Sequence, residues 1–340
     1  MSPRLLFLVS SAREIVLADG RAHVTGYFAD EALTPYRRFA DAGVEVVVAT
    51  PDGRPPLADP YGLEPFFHYV DEDQDFLGTV VRSFHHDVDD IRVTLHHLTE
   101  LDLAASRRIF LALTEAGLPA DEARARVNRA AKIAWQRDRR LGPVLVEEGL
   151  AAPLGPERIG ALVADTEAAA RAEAADIAAA LAELPDFRAP ADLSAMTDAE
   201  LAGFDAVFVP GGHGLMVDLA DNPDVGRSLG ILQEKHATVA ALCHGPAALL
   251  AAGGRDDGQW LFEGYRLTCF TDEEEDQTRP GSVGMPWVVD TALKNCGAVL
   301  DDAPAAWTSH VVVDRNLVTG QNPMSADAVA DAVLKSLEVL

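Results

Sequence analysis

The stretch VAALCHGPAALLAAGG, residues 239–254, joins an apolar run that predicts a buried strand to an alanine- and leucine-rich run that predicts a helix. Cys243 stands at the break between the two runs. A thiol at the tip of a strand, with a helix beginning beneath it, lies where backbone amides and the positive end of the helix dipole favour an anion. The pattern therefore predicts an exposed cysteine with a lowered pKa, suited to act as a nucleophile.

The residues that follow Cys243 predict a sharp turn. His244 comes next, and Gly245 is a small residue two positions after the thiol, as in the nucleophile elbow of hydrolases. The leading glycine of that elbow is missing here. We expect the turn to hold Cys243 strained, and the Gly245 backbone to approach a substrate closely.

Strand-like and helix-like runs alternate towards both ends of the chain. Strands are predicted at residues 4–10 and 43–50 around a helix at 30–43, which Gly43 ends. The same alternation returns later, with strands predicted at 204–212, 237–243, 265–270 and 310–320 and a helix after Pro323. This order predicts an α/β fold: a doubly wound, mostly parallel sheet of the flavodoxin-like kind with helices on both faces.

Residues 85–185 differ in composition, with many Ala, Arg and Glu at helical spacing and few β-branched runs. Within this segment Gly117 is predicted to end one helix and Pro119 to begin the next, and a long Ala-rich helix covers 165–184. We expect an all-helical insertion, a lid or an interface, in an α/β domain formed by residues 1–84 and 186–340.

Composition and charge exclude several classes of protein. The 28 Lys and Arg are outnumbered by 54 Asp and Glu, and a formal charge of −26 repels phosphate backbones and anionic lipid, so neither nucleic acid nor a membrane is an expected partner. The three cysteines are too few and too widely spaced for a disulfide framework, and Cys269 and Cys296 are interpreted as core residues. MSPRLLFLVSS, residues 1–11, is interpreted as a first strand rather than a signal peptide, which predicts a cytoplasmic protein.

Two further motifs follow predicted strands, where open α/β sheets place their active sites. VPGGHG, residues 209–214, offers the backbone amides of Gly211, Gly212 and His213 to a substrate oxyanion. FTDEEEDQ, residues 270–277, carries a run of carboxylates, one of which could orient an imidazole. A solvated first turn of a helix is the alternative interpretation of that run.

Together these motifs resemble the ThiJ/PfpI superfamily of the class I glutamine amidotransferase-like fold, and within it the heat-shock chaperone and glyoxalase III branch. The resemblance covers residues 4–80 and 200–340. It is carried by four motifs in the family's order: PGGHG at 210–214, ALCHGPAAL at 241–249, CFTDEEE at 269–275 and HVVVDRNLVTGQNPMSA at 310–326. Residues 24–60 are similar to the N-terminal signature of the same branch and support it.

The resemblance implies a set of site residues. Glu31 would be a buried carboxylic acid that touches Cys243, which is sensible only if it stays protonated, since two adjacent anions repel. His244 would contact the cysteine and be oriented by an acid, for which Asp272 or Glu274 is preferred within the run 272–275. Homodimers are common in this superfamily, and a homodimer is expected here.

The expected function is a cysteine-dependent, cofactor-independent enzyme of the glyoxalase III type that converts a 2-oxoaldehyde to a 2-hydroxy acid. An amidase, peptidase or hydratase with the same thiol, and a holdase chaperone or redox sensor, are the alternatives. An α/β-hydrolase would instead use Cys243 with Asp290 and His310. No metal is expected, although two histidine pairs could share a helix face and bind one: His85, His86, His96 and His97.

Overall fold

A seven-stranded sheet organises the chain in the computed structural model, which describes residues 2–63, 101–253 and 259–339. Its strands are β1 (Arg4–Leu8), β4 (Glu45–Thr50), β5 (Ala191–Asp192), β6 (Ala206–Val209), β7 (Thr238–Leu242), β10 (Val311–Asp314) and β11 (Leu317–Gly320). They lie in the order β10-β11-β7-β6-β1-β4-β5, and every pairing is parallel except that of β10 with β11. The predicted doubly wound, mostly parallel sheet is therefore confirmed.

The central strands are apolar after their first residues, because both faces of a parallel sheet are covered. In β1, Leu6 and Leu8 join one hydrophobic core, whereas Leu5 and Phe7 join the other. Successive side chains of a strand point to opposite faces, so one short run supplies both cores. The carboxyl ends of β1, β6 and β7 meet at one edge of the sheet as a consequence of this parallel order.

The described residues contain thirteen α-helices. Their bounds are α1 (Ala29–Asp41), α2 (Ser106–Glu115), α3 (Ala120–Gln136), α4 (Leu141–Glu147), α5 (Gly155–Glu183), α6 (Pro185–Arg188), α7 (Asp198–Leu201), α8 (Leu215–Asp218), α9 (Pro223–Glu234), α10 (Asp272–Asp276), α11 (Arg279–Val283), α12 (Val289–Asn295) and α13 (Ala326–Ser336). The predicted helix stop at Gly43 is confirmed, since Gly43 has a φ of +79° just after α1.

Three predicted elements differ from the structure. The run 265–270 forms only a short strand, β8 (Arg266–Leu267), which pairs with β9 (Val299–Leu300) outside the main sheet. The run 310–320 is a hairpin, because Arg315 adopts a φ of +57° and turns the chain between β10 and β11. The alanine- and leucine-rich run after Cys243 is a 3₁₀ helix, Gly245–Ala251, instead of an α-helix. A further hairpin joins β2 (Glu14–Val16) to β3 (Ala22–Val24).

The described residues fall into two compact units. One contains 2–63, 177–253, 259–275 and 283–339, and the other contains 101–176 and 276–282. The helices α2 and α3 confirm the predicted stop at Gly117 and start at Pro119, and α5 contains the predicted Ala-rich helix. The boundaries at 85 and 185 stay predictions. The two histidine pairs lie outside the described residues, and across the described ranges we find no helix with the length and apolar character of a membrane span.

Candidate active site

Cys243 occupies a tight elbow at the carboxyl end of β7. Its φ of +60° is rare for a residue with a side chain and costs on the order of 1–3 kcal/mol. A Cβ on Gly245 would lie 2.4 Å from the Val209 carbonyl oxygen, so only glycine fits where the chain leaves the elbow. The predicted strained elbow is present, but the thiol is buried, at 2% exposure, rather than exposed.

Glu31 reaches Cys243 from the first turn of α1. The start of this helix is held against the PGG loop, where Phe28 donates its N–H to the Gly211 oxygen at 2.8 Å. The Gly211 N–H in turn donates to Glu31 Oε2 at 2.7 Å. A Cβ on Gly211 would lie 2.1 Å from Glu31 Oε2 and 2.6 Å from Cys243 Cβ, so the carboxyl and the cysteine flank one glycine.

Burial decides the protonation of this pair. Glu31 is fully buried, and burial raises its pKa well above the usual range, against hydrogen bonds from Cys243 and Gly211 that favour the anion. Burial also raises the pKa of the Cys243 thiol, and negative charge on the neighbouring Glu31 would raise it further. The prediction of a lowered pKa for Cys243 is therefore wrong, and the raised pKa of Glu31 favours the protonated carboxyl that the resemblance implies.

His244 faces the thiol although it is the next residue in the chain. Its Nδ1 lies 3.3 Å from Cys243 Sγ, and its Nε2 lies 2.7 Å from Glu275 Oε2. The left-handed backbone at Cys243 turns the chain sharply enough for the following imidazole to reach back to the sulfur. The contact implied by the resemblance is present, and the imidazole is held from behind by a carboxylate.

That carboxylate is Glu275, which corrects the preference for Asp272 or Glu274. Asp272 Oδ2 accepts a hydrogen bond from the Thr291 hydroxyl at 2.7 Å. Glu274 points away from the histidines and accepts from the Trp307 N–H and from two amides, at 2.7, 2.8 and 3.0 Å; these amides are Asn322 Nδ2 and Gln321 Nε2. Adjacent residues of a helix face different directions, and the sequence run alone does not show which faces the imidazole.

His213 also binds Glu275. Its Nε2 lies 3.0 Å from Glu275 Oε1, and the rings of His213 and His244 are 4.3 Å apart. The amide of Gly211, predicted to hold a substrate oxyanion, donates to Glu31 here. Oxyanion or substrate binding by Gly211, Gly212, His213 and Gly245 stays a prediction.

The pKa values of the two histidines are shifted in opposite directions. Burial disfavours the imidazolium of both, but Glu275 outweighs it at His213, whose pKa is raised above the ordinary histidine value. The pKa of His244 is lowered, by burial first and then by the neighbouring His213. Burial alone would raise the pKa of Glu275, but the two histidines outweigh it and hold that pKa well below its usual range. Asp59 adds negative potential at both rings.

The donor atoms of His213, His244 and Glu275 lie within 4.8 Å of one another, and within the described ranges they form the single cluster spaced closely enough for a cation. Both imidazole Nε2 atoms lie within hydrogen-bond distance of Glu275, so the three residues also have the contacts of a proton-sharing group.

The hydrolase alternative is not supported by the structure. Asp290 pairs with Lys294 at 2.6 Å, and His310 Nε2 lies 2.9 Å from the Asp301 backbone oxygen. Cys243 contacts His244 instead, so Asp290 and His310 do not form a triad with it.

The segment that contains this site is similar to known proteins. The sequence pattern of the DJ-1/PfpI family matches residues 174–336, a little under half of the chain, and this stretch includes Cys243, His244 and Glu275. It is 32% identical over 164 residues to the protein/nucleic acid deglycase HchA of Pseudomonas aeruginosa (strain UCBPP-PA14), covering 45% of this chain and 55% of that protein. With HchA of Escherichia coli O1:K1 it shares 35% identity over 153 residues, covering 42% and 50% of the two chains.

The chain thus spans about half the length of these curated relatives. Among solved structures, glyoxalase III from Candida albicans superimposes with a TM-score of 0.56 at 18% identity, covering 98% of this chain and 97% of that one. The rapid encystment protein of Francisella tularensis gives 0.57 at 18% identity, with 98% and 99% covered. At such identities the superpositions show that the fold is shared.

Sequence reasoning missed two residues of this site. Glu275 stood inside the predicted acidic run but was not preferred, and its only sequence signal was membership of that run. Asp59 was not singled out. It is 2% exposed and accepts hydrogen bonds from Thr25 Oγ1 at 2.8 Å and from the Tyr61 N–H at 2.9 Å. Both are recognised only from their distance to the histidines.

Proposed function

We propose that the protein is a cysteine-dependent enzyme of the glyoxalase III type, which converts a 2-oxoaldehyde and water to a 2-hydroxy acid without a cofactor. One observation carries this proposal: a fully buried carboxyl, Glu31, lies against a buried thiol, Cys243, with an imidazole on the sulfur. A hydrolase needs a nucleophile and a base. A second acid–base group beside the nucleophile suits a reaction that also moves a proton between carbon atoms.

The first step forms a hemithioacetal. His244 Nδ1 accepts the thiol proton, the sulfur bonds to the aldehyde carbon, and the protonated Glu31 gives its proton to the carbonyl oxygen. Having lost its proton, Glu31 is a carboxylate and can act as the base in the second step. Its raised pKa makes it a stronger base than an ordinary glutamate.

The second step isomerises this adduct and the third releases it. Glu31 removes the proton from the carbon that bears sulfur and returns it to the neighbouring ketone carbon, while the hydroxyl proton of the first carbon is transferred to the ketone oxygen. The hemithioacetal thereby becomes a thioester of a 2-hydroxy acid. Water then adds to the thioester carbon, the carbon–sulfur bond breaks, and the thiol takes back a proton. The sum is one aldehyde plus one water to one hydroxy acid, with no oxidant or reductant.

The relatives favour a second candidate with the same chemistry. HchA is named a protein/nucleic acid deglycase. A deglycase would use the thiol on the carbonyl carbon of an adduct with an amine, and the amine would leave. The net charge of −26 favours small or protein-borne adducts over nucleic acid for this chain.

Product analysis tests the proposal. Methylglyoxal, glyoxal, a glycated amine, glutamine and small amides are incubated with the wild type and with Cys243→Ala, and the products are identified by mass spectrometry. We expect a 2-hydroxy acid from the aldehydes, lost in Cys243→Ala and retained in Cys296→Ser, because Cys296 is exposed and lies outside the site contacts described here. Ammonia released from an amide with no aldehyde turnover would point to the amidase alternative. Chaperone activity that survives Cys243→Ala would point to a holdase.

A further inference from the structure

One carboxylate serves two imidazoles in this site. Glu275 Oε2 lies 2.7 Å from His244 Nε2, and Glu275 Oε1 lies 3.0 Å from His213 Nε2. All three side chains are at most 5% exposed. A carboxylate can accept from both rings, so each Nε2 bears a hydrogen; the two Nδ1 atoms then decide the charge of each ring.

The charges around the group require one positive ring. The buried residues in the described ranges include Glu31, Asp59, Glu274 and Glu275 but no Lys or Arg. A cation stabilises a buried carboxylate such as Glu275, and among the buried side chains of the described residues only a histidine can supply one. Two adjacent imidazolium rings 4.3 Å apart would repel, and a single positive charge is therefore favoured.

The position of the sulfur decides which ring carries that charge. Only His244 faces Cys243, with Nδ1 at 3.3 Å from Sγ, and a ring that accepts the thiol proton must be neutral. We propose that His213 is a positioning residue that holds the positive charge on Glu275, and so keeps His244 neutral, with Nε2–H donated to Glu275 and the Nδ1 lone pair directed at Cys243. In this role the His213 side chain acts through Glu275 and His244, whereas the predicted oxyanion binding uses the His213 backbone amide. The direction of the pKa of each ring agrees with this assignment.

The charge on His213 sets the pH range in which His244 is a base. Several charged or titratable groups face the two histidines. They are Glu275 from α10, Asp59 from the loop that follows β4, and Glu31 together with Cys243. If His213 were absent, the negative charges of Glu275 and Asp59 would favour protonation of His244. Its Nδ1 would then be a donor at neutral pH. The effect on turnover rests on the proposed function, whereas the proton arrangement does not.

Nuclear magnetic resonance of the imidazole nitrogens tests the arrangement without substrate. In the wild-type protein labelled with ¹⁵N-histidine, we expect His213 to show two protonated nitrogens at neutral pH, and His244 to show one protonated and one bare nitrogen. In His213→Gln we expect the titration midpoint of His244 to rise by about one pH unit or more. His213→Lys, which restores a cation, should return that midpoint towards the wild-type value, and His310→Gln, a histidine outside the site, should leave it unchanged.

Activity gives a second readout. If the wild type turns over an aldehyde, the acid limb of its kcat profile should move upward in His213→Gln, with about tenfold lower kcat near neutral pH and an unchanged KM. The wild-type spectrum needs no variant, so it decides the question even if His213→Gln fails to fold. A neutral His213, an unmoved His244 midpoint in a folded His213→Gln, or a stoichiometric metal ion in the purified protein would each overturn the proposal.

Discussion

Three neighbouring acids show what decides function at the scale of a residue. Glu273 is exposed, Glu274 is buried among hydrogen-bond donors, and Glu275 is buried between two histidines. Their chemical identity is the same, yet burial keeps the pKa of Glu274 raised while the histidines lower that of Glu275. The environment of each carboxylate, rather than its residue type, assigns its role.

Glu31→Gln should abolish proton transfer and keep the fold. The amide can still accept from the Gly211 N–H, but it has no proton to shuttle, so we expect kcat to fall by about 10²- to 10⁴-fold. Steady-state kinetics on the substrate found by product analysis measures this. Asp30→Asn, the neighbouring first-turn acid, is the matched control and should turn over nearly as the wild type does. Near-wild-type turnover in Glu31→Gln would remove Glu31 from the mechanism.

The raised pKa of Glu31 also predicts a pH dependence of stability. The folded state keeps the Glu31 proton above the ordinary glutamate value of 4.5, where the unfolded chain has lost it. The contribution of this proton to the free energy of unfolding is therefore present at acidic pH. It falls as the pH rises, by up to about 1.4 kcal/mol per pH unit. Urea unfolding from about pH 5 to about pH 8 should show a growing stability advantage of Glu31→Gln over the wild type. A constant difference would contradict the raised pKa.

Gly211→Ala should damage the site directly. Its Cβ would fall 2.1 Å from Glu31 Oε2 and 2.6 Å from Cys243 Cβ, so both groups must move. We expect a loss of about 1–3 kcal/mol in the free energy of unfolding, with strongly reduced turnover. Gly230→Ala is the control, since nothing lies within 4 Å of its Cβ position in α9. If both variants had the same stability and turnover, the loop at Gly211 would have to rearrange without loss of free energy.

At the scale of an element, α1 joins the sheet to the site. Its first turn carries Glu31, and its last turn is tied to α13, where Arg38 pairs with Asp327 at 2.7 Å and also with Asp331. Gly43 ends the helix with a φ of +79° and no atom within 4 Å of a Cβ position. The cost of a side chain at Gly43 is therefore conformational and not steric.

Gly43→Ala should lower the free energy of unfolding by about 1 kcal/mol, because alanine is disfavoured in the left-handed region. Gly43→Asn should lose less, since asparagine tolerates that region. Denaturant midpoints measure both. An alanine variant as stable as the wild type would show that the helix end relaxes to another conformation.

At the scale of the whole molecule, we expect a homodimer, as in the resembled superfamily and as most closed oligomers of soluble proteins are. Light scattering at working concentration should give a mass near twice the 36.3 kDa of the chain. The mass should persist at higher salt if the interface is apolar. A mass of one chain across the concentration range would refute the expectation.

The sequence by itself determined the features that depend on neighbouring residues. Local patterns predict the parallel sheet and the added helices. They include the alternation in β1, the glycine after α1 and the helical spacing of residues 165–184. The strand-end position of Cys243 and the glycine after His244 likewise predicted the elbow. The run 265–270 is short and weakly periodic, and only Arg266–Leu267 of it form a strand.

Only the tertiary structure decided the chemistry of the site. Glu31 meets Gly211 across 180 residues, and His213 meets Glu275 across 62, distances over which no local pattern carries information. Burial, which raises the pKa of Cys243 instead of lowering it, depends on every element packed around the thiol. The orientation of each side chain on α10 likewise decides that Glu275, and not Asp272 or Glu274, reaches His244. The residue types were present in the sequence, but their charges and partners are products of folding, because solvent exclusion and proximity exist only in the folded chain.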